Sequence, residues 1–397
     1  MFWRELHGDP RRSVPGEHPS ARPNGTSARW RPTVPGGAVS AGLPGLLHTA
    51  LTYRSTDELA GVLVPLVAKW LSGGDRVIVS SGPRRMHALC SELGADAELV
   101  RWCDTSRWAP HPARRLRAIH EIVEDERRLG HGQVRFVGEH PFPPGVPELV
   151  TEWERFDAAL NDALATAPLT MVCAFDVATV PAPVLEHVAG VHPMLGVDPA
   201  LASTGYRRPD DFLGVSSGLP PLPADTSRLG GQVTPARARS LVKDVLGGEG
   251  VDAPASRAVD DFAVAVTELV TNAWQAGAGS IDVWCWQRRG EMGVQVDDDG
   301  PGLRAPLAGY RRPSPGALGG RGLWIVRQLV DLVEIAFDGL GTSVRARIFE
   351  DRARRLRAPG GSQRDCRERS AGILAAERRG AHQPVNRLGV ALKPHGL

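Results

Sequence analysis

Residues 256–275 read SRAVDDFAVAVTELVTNAWQ, a run whose apolar residues recur every three or four positions. That period predicts an amphipathic α-helix with one buried stripe. Glu268 and Asn272 are four residues apart, so they lie on one face at the edge of that stripe. An amide oxygen is a suitable Mg²⁺ ligand, and a carboxylate can accept a proton from an attacking hydroxyl. The pair by itself also fits a solvated helix face.

A predicted strand and turn follow in the segment EMGVQVDDDGPG at residues 291–302. Alternation along the strand places Asp298 on the apolar face, at its end. A carboxylate in that position costs free energy unless it is hydrogen-bonded, and the amino group of a purine is a suitable donor. Gly300 and Gly302 allow a flat ligand to approach the backbone closely. The alternative is a simple turn formed by Asp and Gly.

A glycine-rich loop, GALGGRG at residues 316–322, precedes the next predicted helix. Backbone N–H groups at a helix start, reached through Gly320 and Gly322, form an anion site suited to phosphate. Thr342 lies on the inward face of a later predicted strand, where its hydroxyl can serve the same pocket as Asp298. A flexible glycine-rich turn without a ligand is the alternative.

The order E-x-x-x-N, D-x-G-x-G, G-x-G and G-T within residues 235–349 resembles the histidine-kinase-like ATPase domain, the Bergerat or GHKL fold. The segments ELVTNAWQAGA and GGRGLWIVRQLVDLVE are similar to the anti-sigma regulatory factor branch of serine kinases. The resemblance implies an α+β sandwich that binds ATP and Mg²⁺. It implies that Asn272 holds the metal, that Glu268 is the general base, and that Asp298 binds the adenine amino group.

The same resemblance implies roles for the remaining motif residues. Gly300 and Gly302 would shape the adenine side of the site, and Gly320 and Gly322 would meet the phosphates through backbone N–H groups. Thr342 would support the adenine contact.

An ATP lid over residues 303–319 is also implied. Some kinases of this family carry a lid arginine just before the G-x-G motif, but Leu and Gly stand there in this chain. Arg311, Arg312 and Arg321 lie nearby, and any of them could take its place. This departure leaves ATP binding better supported than phosphotransfer.

The first block, residues 43–200, alternates short apolar runs such as RVIVSS and LTMVCAF with helical patterns. This order predicts an α/β domain with a mostly parallel sheet. It contains no GxxxxGK[ST] phosphate loop. The segments HTALTYRSTDEL, VRFVGEHPF and MVCAFD resemble the MEDS-type sensory domain, a RecA-like fold without a P-loop, which implies that the block senses an unknown small-molecule signal.

Polar residues near the predicted strand ends of that block are candidates for signal binding, because α/β sheets bind ligands there. They are His48, Tyr53, Glu139, Cys173, Asp176, His187 and His192. The spacing of the His and Cys residues does not predict a metal site.

Composition indicates the character of the remaining segments. Residues 1–42 and the Arg-rich tail 350–397 are predicted to be disordered, and residues 201–234 to be a linker. A net charge of +2 argues against direct nucleic-acid binding, and no apolar run is long enough for a membrane span or a secretory signal. Five cysteines without a CxxC pair favour the reducing cytoplasm.

We therefore expect a two-domain cytoplasmic regulator in which a sensory domain controls an anti-sigma-type serine/threonine kinase domain. The implied partners are an anti-anti-sigma-type protein and a sigma factor, and a homodimer is compatible with the sequence. One alternative is a sensor histidine kinase. However, the predicted helix over residues 235–247 has no His, and His120 lies in the first block. Another alternative is a non-catalytic module that binds its partner when ATP is bound.

Overall fold

The computed structural model describes most of the chain between residues 45 and 349. The described ranges are 45–105, 108, 111–142, 146–247, 256–288, 290–303, 305–314 and 320–349. The predicted disordered segments 1–42 and 350–397 lie outside them. No helix in these ranges combines the length and the apolar character required to cross a lipid bilayer.

The first domain is built on a seven-stranded sheet with the order β3-β2-β4-β5-β1-β6-β7. All its strand pairs are parallel except β6–β7. Its elements are β1 (Leu46–Tyr53), α1 (Thr56–Ser72), β2 (Arg76–Ser81), α2 (Pro83–Leu93), a 3₁₀ helix (Gly94–Leu99), β3 (Arg101–Asp104), α3 (Pro112–Arg128), β4 (Val134–Glu139), α4 (Pro147–Ala163), β5 (Leu169–Asp176), α5 (Ala182–Val191), β6 (Met194–Leu195) and β7 (Leu201–Ala202).

Hydrophobic cores lie on both faces of this sheet. One contains residues of α1 and α2, and the other contains residues of α3, α4 and α5. Strands covered on both sides are apolar along their whole length, which is why RVIVSS and LTMVCAF show no polar alternation. The predicted mostly parallel sheet is confirmed. The pattern did not predict β1, which carries buried His48 and Thr49.

The second domain contains a five-stranded antiparallel sheet with the order β11-β12-β10-β9-β8. Helix α6 (Pro209–Leu213) still packs on the first domain, where Phe212 contacts His187. The elements of the second domain are β8 (Ser227–Leu229), α7 (Pro235–Leu246), α8 (Ser256–Gln275), β9 (Ile281–Arg288), β10 (Glu291–Asp298), α9 (Gly322–Leu329), β11 (Leu332–Phe337) and β12 (Thr342–Phe349). Residues 201–234, predicted as a linker, thus supply the edge strand β8.

Helices α7, α8 and α9 share one apolar core with one face of this sheet. That core contains Val294 and Val296 of β10, the alternate residues assigned to the inward face. On the other face, the Trp286 indole covers Gly293, where a Cβ atom would collide with the ring. The predicted α+β sandwich with its helices on one face is confirmed.

Candidate functional site

Helix α8 carries the first two candidate residues, Glu268 and Asn272, one turn apart and both half-buried. The Asn272 side chain lies against the first residue of α9. A Cβ atom added at Gly322 would be 2.7 Å from both Oδ1 and Nδ2 of Asn272. Only a glycine at position 322 leaves room for this close approach. The packing of α8 against α9 thus brings the E-x-x-x-N and G-x-G motifs together.

Asp298 ends β10 and lies directly opposite Thr342 of β12 in the antiparallel register. Partial burial raises the pKa of its carboxyl group above the usual range, with a further contribution from the neighbouring acids. The backbone N–H of Gly300 donates a 2.9 Å hydrogen bond to Oδ1 and opposes that shift. The result is a strand-end carboxylate that burial makes harder to ionise.

The two glycines after Asp298 pack closely against other elements. A Cβ atom at Gly300 would lie 2.8 Å from Asp298 Oδ1 and 3.8 Å from the Cβ of Ala276, just beyond α8. Gly302 has a φ of +89°, and a side chain there would collide with the ring of Phe337 in β11. Gly302 therefore requires glycine, and Gly300 holds the D-x-G-x-G turn against the end of α8.

The acidic neighbours of Asp298 have separate structural roles. Asp299 accepts hydrogen bonds from the backbone N–H groups of Gly279 and Ser280, at 2.7 and 2.9 Å, and so ties the turn after α8 to the end of β10. Asp297 points to the opposite sheet face and accepts from Trp284 Nε1 at 2.6 Å. The sequence singled out only the middle acid of the three.

The candidate nucleotide residues fall into two contacting groups. Asn272 meets Gly322, and Asp298 meets Gly300 and Thr342. Glu268 lies one turn earlier on α8 than Asn272, and Gly320 is exposed just before α9, with a φ of +79°. Gly302 lies beneath Phe337 rather than at an open surface.

The predicted lid is described over residues 303 and 305–314, and its middle part contacts the first domain. Tyr310 is buried in the core cluster of that domain, and its hydroxyl donates a 2.6 Å hydrogen bond to Glu152 of α4. The same carboxylate pairs with buried Arg327 of α9 at 2.9 Å, and the Arg327 guanidinium stacks 4.0 Å from the centre of the Tyr310 ring. The lid and α9 are thus fastened to one side chain of α4.

Two of the three candidate lid arginines are paired with acids of the first domain. Arg311 bonds Asp162 of α4 at 2.5 Å, and Arg312 bonds Glu124 of α3 at 3.1 Å. Arg321 is exposed at the N-cap of α9. The described arrangement therefore directs Arg311 and Arg312 toward the sensory domain.

In the first domain, three of the candidate polar residues meet at the carboxyl ends of the parallel strands. Glu139 accepts hydrogen bonds from the hydroxyl groups of Tyr53 and Ser81, and pairs with Arg85 at 3.2 Å. Arg85 also bonds Asp176 at 2.5 Å. Burial raises the pKa of the Tyr53 hydroxyl, with the Glu139 charge adding to the effect. We call these five residues the carboxyl-edge cluster.

His48, Cys173 and His192 come together with Asp157 of α4, which the sequence did not single out. We call these four residues the buried quartet, since each is at most 2% exposed. Burial is the main reason that the pKa of His48 falls to about 3 and that of His192 is also lowered. Burial acts to raise the pKa of Asp157. The charges of His140 and the other nearby imidazoles, together with the hydrogen bond from His140, outweigh burial and lower this pKa to about 2.

Two other histidines do not join these clusters. His187 is half-exposed and pairs with Glu154 at 2.7 Å. His120 lies on α3 and contacts Glu124 of the same helix at 3.5 Å. Helix α3 belongs to the first domain and does not lie just before the ATPase block.

Comparison with solved structures finds histidine kinase domains. The histidine kinase domain of a blue-light activated histidine kinase from Erythrobacter litoralis is 24% identical over 32% of this chain and 65% of its own length, with a TM-score of 0.22. The histidine kinase domain of the E. coli osmosensor EnvZ is 22% identical over 33% of this chain and 91% of its own, with a TM-score of 0.19. No curated protein matches the chain.

Family models match both blocks. Residues 47–193 match the MEDS family, the methanogen/methylotroph, DcmR sensory domain. Residues 231–348 match the histidine kinase-like ATPase domain. The chain therefore carries a MEDS sensory domain followed by a histidine kinase-like ATPase domain.

Proposed function

We propose that this chain is a signalling regulator in which the MEDS domain controls nucleotide binding and phosphotransfer by the ATPase domain. The observation that carries the proposal is the burial of lid residue Tyr310 in the MEDS core, with its hydroxyl on Glu152. A conformational change in the MEDS domain that moved α4 would move the lid with it. Control of an ATP site through its lid is a known form of switching.

The residues present fit a bound ATP with Mg²⁺. The Asn272 amide supplies a hard oxygen next to the start of α9, where the backbone N–H groups of Gly320 and Gly322 are suited to phosphate. Asp298 supplies an acceptor for the adenine amino group, and Thr342 lies beside it. When bound, ATP supplies the phosphoryl group.

Glu268 is proposed as the general base. Its carboxylate lies one helical turn from Asn272, about 6 Å along the axis, and is half-buried. From that position it would accept the proton of a hydroxyl directed at the terminal phosphate. Arg321, exposed at the N-cap of α9, is the residue that we propose to meet the terminal phosphate while Arg311 and Arg312 stay paired.

We propose a serine or threonine acceptor on an anti-anti-sigma-type partner, with a sigma factor as a second partner. The proposal is supported by helix α7, which precedes the ATPase core and has the sequence PARARSLVKDVL, without a histidine. His120 is paired on α3 of the MEDS domain. A sensor histidine kinase is the second candidate, and the match of residues 231–348 to the histidine kinase-like ATPase domain supports it.

For the MEDS domain we propose a RecA-like fold without a phosphate loop and a small-molecule signal bound at the carboxyl-edge cluster. The parallel sheet covered on both faces and the GPRR sequence after β2 support this proposal. We also propose that the protein is located in the cytoplasm. The four cysteines in the described part of the chain form no disulfide bond, namely Cys90, Cys103, Cys173 and Cys285.

A phosphotransfer assay tests the proposal. The full chain is incubated with γ-labelled ATP, Mg²⁺ and purified anti-anti-sigma-type proteins from the same organism. We expect acid-stable label on one of them, as phosphoserine or phosphothreonine. Acid-labile label on the chain itself would favour the histidine kinase. Absence of label combined with nucleotide-dependent binding of a partner would identify a non-catalytic module.

A further inference from the structure

The buried quartet places four metal-ligand groups of three chemical types in one position. His48 lies on β1, Cys173 on the neighbouring strand β5, Asp157 on α4, and His192 immediately after α5. Their ligand atoms all lie within 4.8 Å of one another. Strand β1 and three consecutive later elements thus bring their polar atoms together in the core.

Both imidazoles are oriented as metal ligands are. His48 Nδ1 is 3.0 Å from the side-chain oxygen of Asn161, and His192 Nδ1 is 2.8 Å from the backbone oxygen of Val188. Each ring therefore carries its proton on Nδ1 and leaves Nε2 as an acceptor, as in metal sites where a carbonyl fixes the tautomer.

The two Nε2 atoms point into the quartet. Nε2 of His48 is 3.2 Å from the Cys173 sulfur. Nε2 of fully buried His192 has no hydrogen-bond partner among the described residues. An unpaired acceptor in a core is costly, so this nitrogen is available to a metal ion.

The donor set selects the metal. Two imidazole nitrogens, one sulfur and one carboxylate oxygen suit Zn²⁺ or a similar divalent ion in tetrahedral geometry. Such a site separates its donors by about 3.3–3.8 Å when its bonds are about 2.0–2.3 Å long. The sulfur of Cys173 already lies 3.5 Å from Oδ1 of Asp157. We propose that the buried quartet binds one tetrahedral Zn²⁺-type ion in the MEDS domain.

Binding exchanges a proton for the metal. Burial raises the pKa of the Cys173 thiol well above its usual value, so the free site holds a protonated sulfur. The metal–sulfur bond forms as the S–H proton leaves to solvent, and the other three donors bind without losing a proton. Arg115 is a nearby cation, and it donates hydrogen bonds to the backbone oxygens of Glu139 and Thr105.

Co²⁺ titration of the untagged, chelator-treated full chain tests the site, because a cobalt–thiolate bond gives a charge-transfer absorption and tetrahedral geometry gives intense visible bands. We expect both signals, saturating at one ion per chain, and displacement by Zn²⁺. Cys173→Ala should lose the charge-transfer signal. Cys285→Ala is the matched control, because it removes another fully buried free thiol, in the ATPase core, and should keep both signals.

The outcome is decisive in either direction. Absence of thiolate absorption in the wild-type chain, or its retention in Cys173→Ala, would overturn the proposal and leave the quartet as a hydrogen-bonded core cluster. If circular dichroism shows that Cys173→Ala is unfolded, His192→Gln takes its place. That variant should bind Co²⁺ at least tenfold more weakly, and unchanged affinity would overturn the site.

Discussion

Asp298 is a carboxylate whose ionisation is disfavoured by its position at the end of β10. Folding raises the pKa of this carboxyl above its value in the unfolded chain, mainly through partial burial. Its ionisation at neutral pH therefore costs stability. Such a cost is compatible with the binding role that we propose for Asp298, since ligand sites trade stability for function.

Asp298→Asn should therefore raise the Tm of the nucleotide-free chain at pH 7. The gain should disappear below about pH 4, where the carboxyl is protonated in both the folded and unfolded chain. Asp338→Asn is the control, because hydrogen bonds from the backbone of Leu340 and Gly341 lower the pKa of that exposed carboxyl. Its neutralisation should lower the Tm at pH 7. A lower Tm at pH 7 for Asp298→Asn would contradict this reasoning.

Glu268 and Asp298 should respond differently to mutation, because one is assigned to proton transfer and the other to adenine binding. Glu268→Gln keeps the size and burial of the side chain but removes the base. We expect its ATP affinity to stay within about threefold of the wild type, whereas phosphotransfer falls by about 100-fold or more. Equal loss of binding and transfer, measured by calorimetry and labelling, would count against the base assignment.

At the residue scale, periodicity predicted the position of Asp298 because a strand has a fixed two-residue alternation. The core residues Val294 and Val296 confirm the face on which it lies. The same method missed Asp157, because nothing in the α4 sequence shows that its side chain meets two histidines on other elements. Contacts between side chains on separate elements depend on packing rather than on local pattern.

At the scale of elements, the close approach of α9 to α8 depends on Gly322. Gly322→Ala places a methyl group 2.7 Å from the Asn272 amide, so the amide or the helix must move. We expect ATP–Mg²⁺ affinity to fall about tenfold or more, as measured by calorimetry.

Gly61→Ala is the matched control for that substitution. Gly61 is also helical, on α1, and a Cβ atom there meets nothing within 4 Å. The change should stabilise the chain by about 0.5–1 kcal/mol and leave nucleotide affinity unchanged. Equal nucleotide affinity in the two variants would show that the α8–α9 contact does not form the site.

Most elements could be predicted from the sequence because their apolar periods are regular, as in α8 and β10. The pattern did not predict β1, β6, β7 or β8, and the physical reasons are clearest for β1 and β8. β1 contains polar residues that are buried in the centre of the sheet, and β8 has only three residues in a segment rich in proline and glycine. Both strands form because they pair with neighbouring strands, and the local sequence pattern does not predict that pairing.

At the scale of the whole molecule, the ion pairs of Arg311 and Arg312 connect the lid to the MEDS domain. Neither pair was predictable, since their partners are separated by 149 and 188 residues. The double variant Asp162→Asn with Glu124→Gln frees both guanidinium groups. We expect ATP affinity to rise severalfold with little change for ADP, because only ATP presents a terminal phosphate to them.

Glu121→Gln is the control for the double variant. It removes a half-exposed acid of α3 that pairs with Arg117 one turn earlier, so nucleotide affinity should not change. If the double variant binds ATP and ADP as the wild type does, the lid contacts have no part in regulation.

The central claim is that α8, the end of β10 and the start of α9 surround one purine nucleotide. Isothermal titration of the full chain with ATP and Mg²⁺ tests it most directly, with Asp298→Ala measured beside the wild type. We predict one site per chain, dependent on Mg²⁺, and an affinity about ten- to hundredfold lower in the variant, the value of a hydrogen bond to a charged group. No binding by the wild type, or equal binding by Asp298→Ala, would contradict the account.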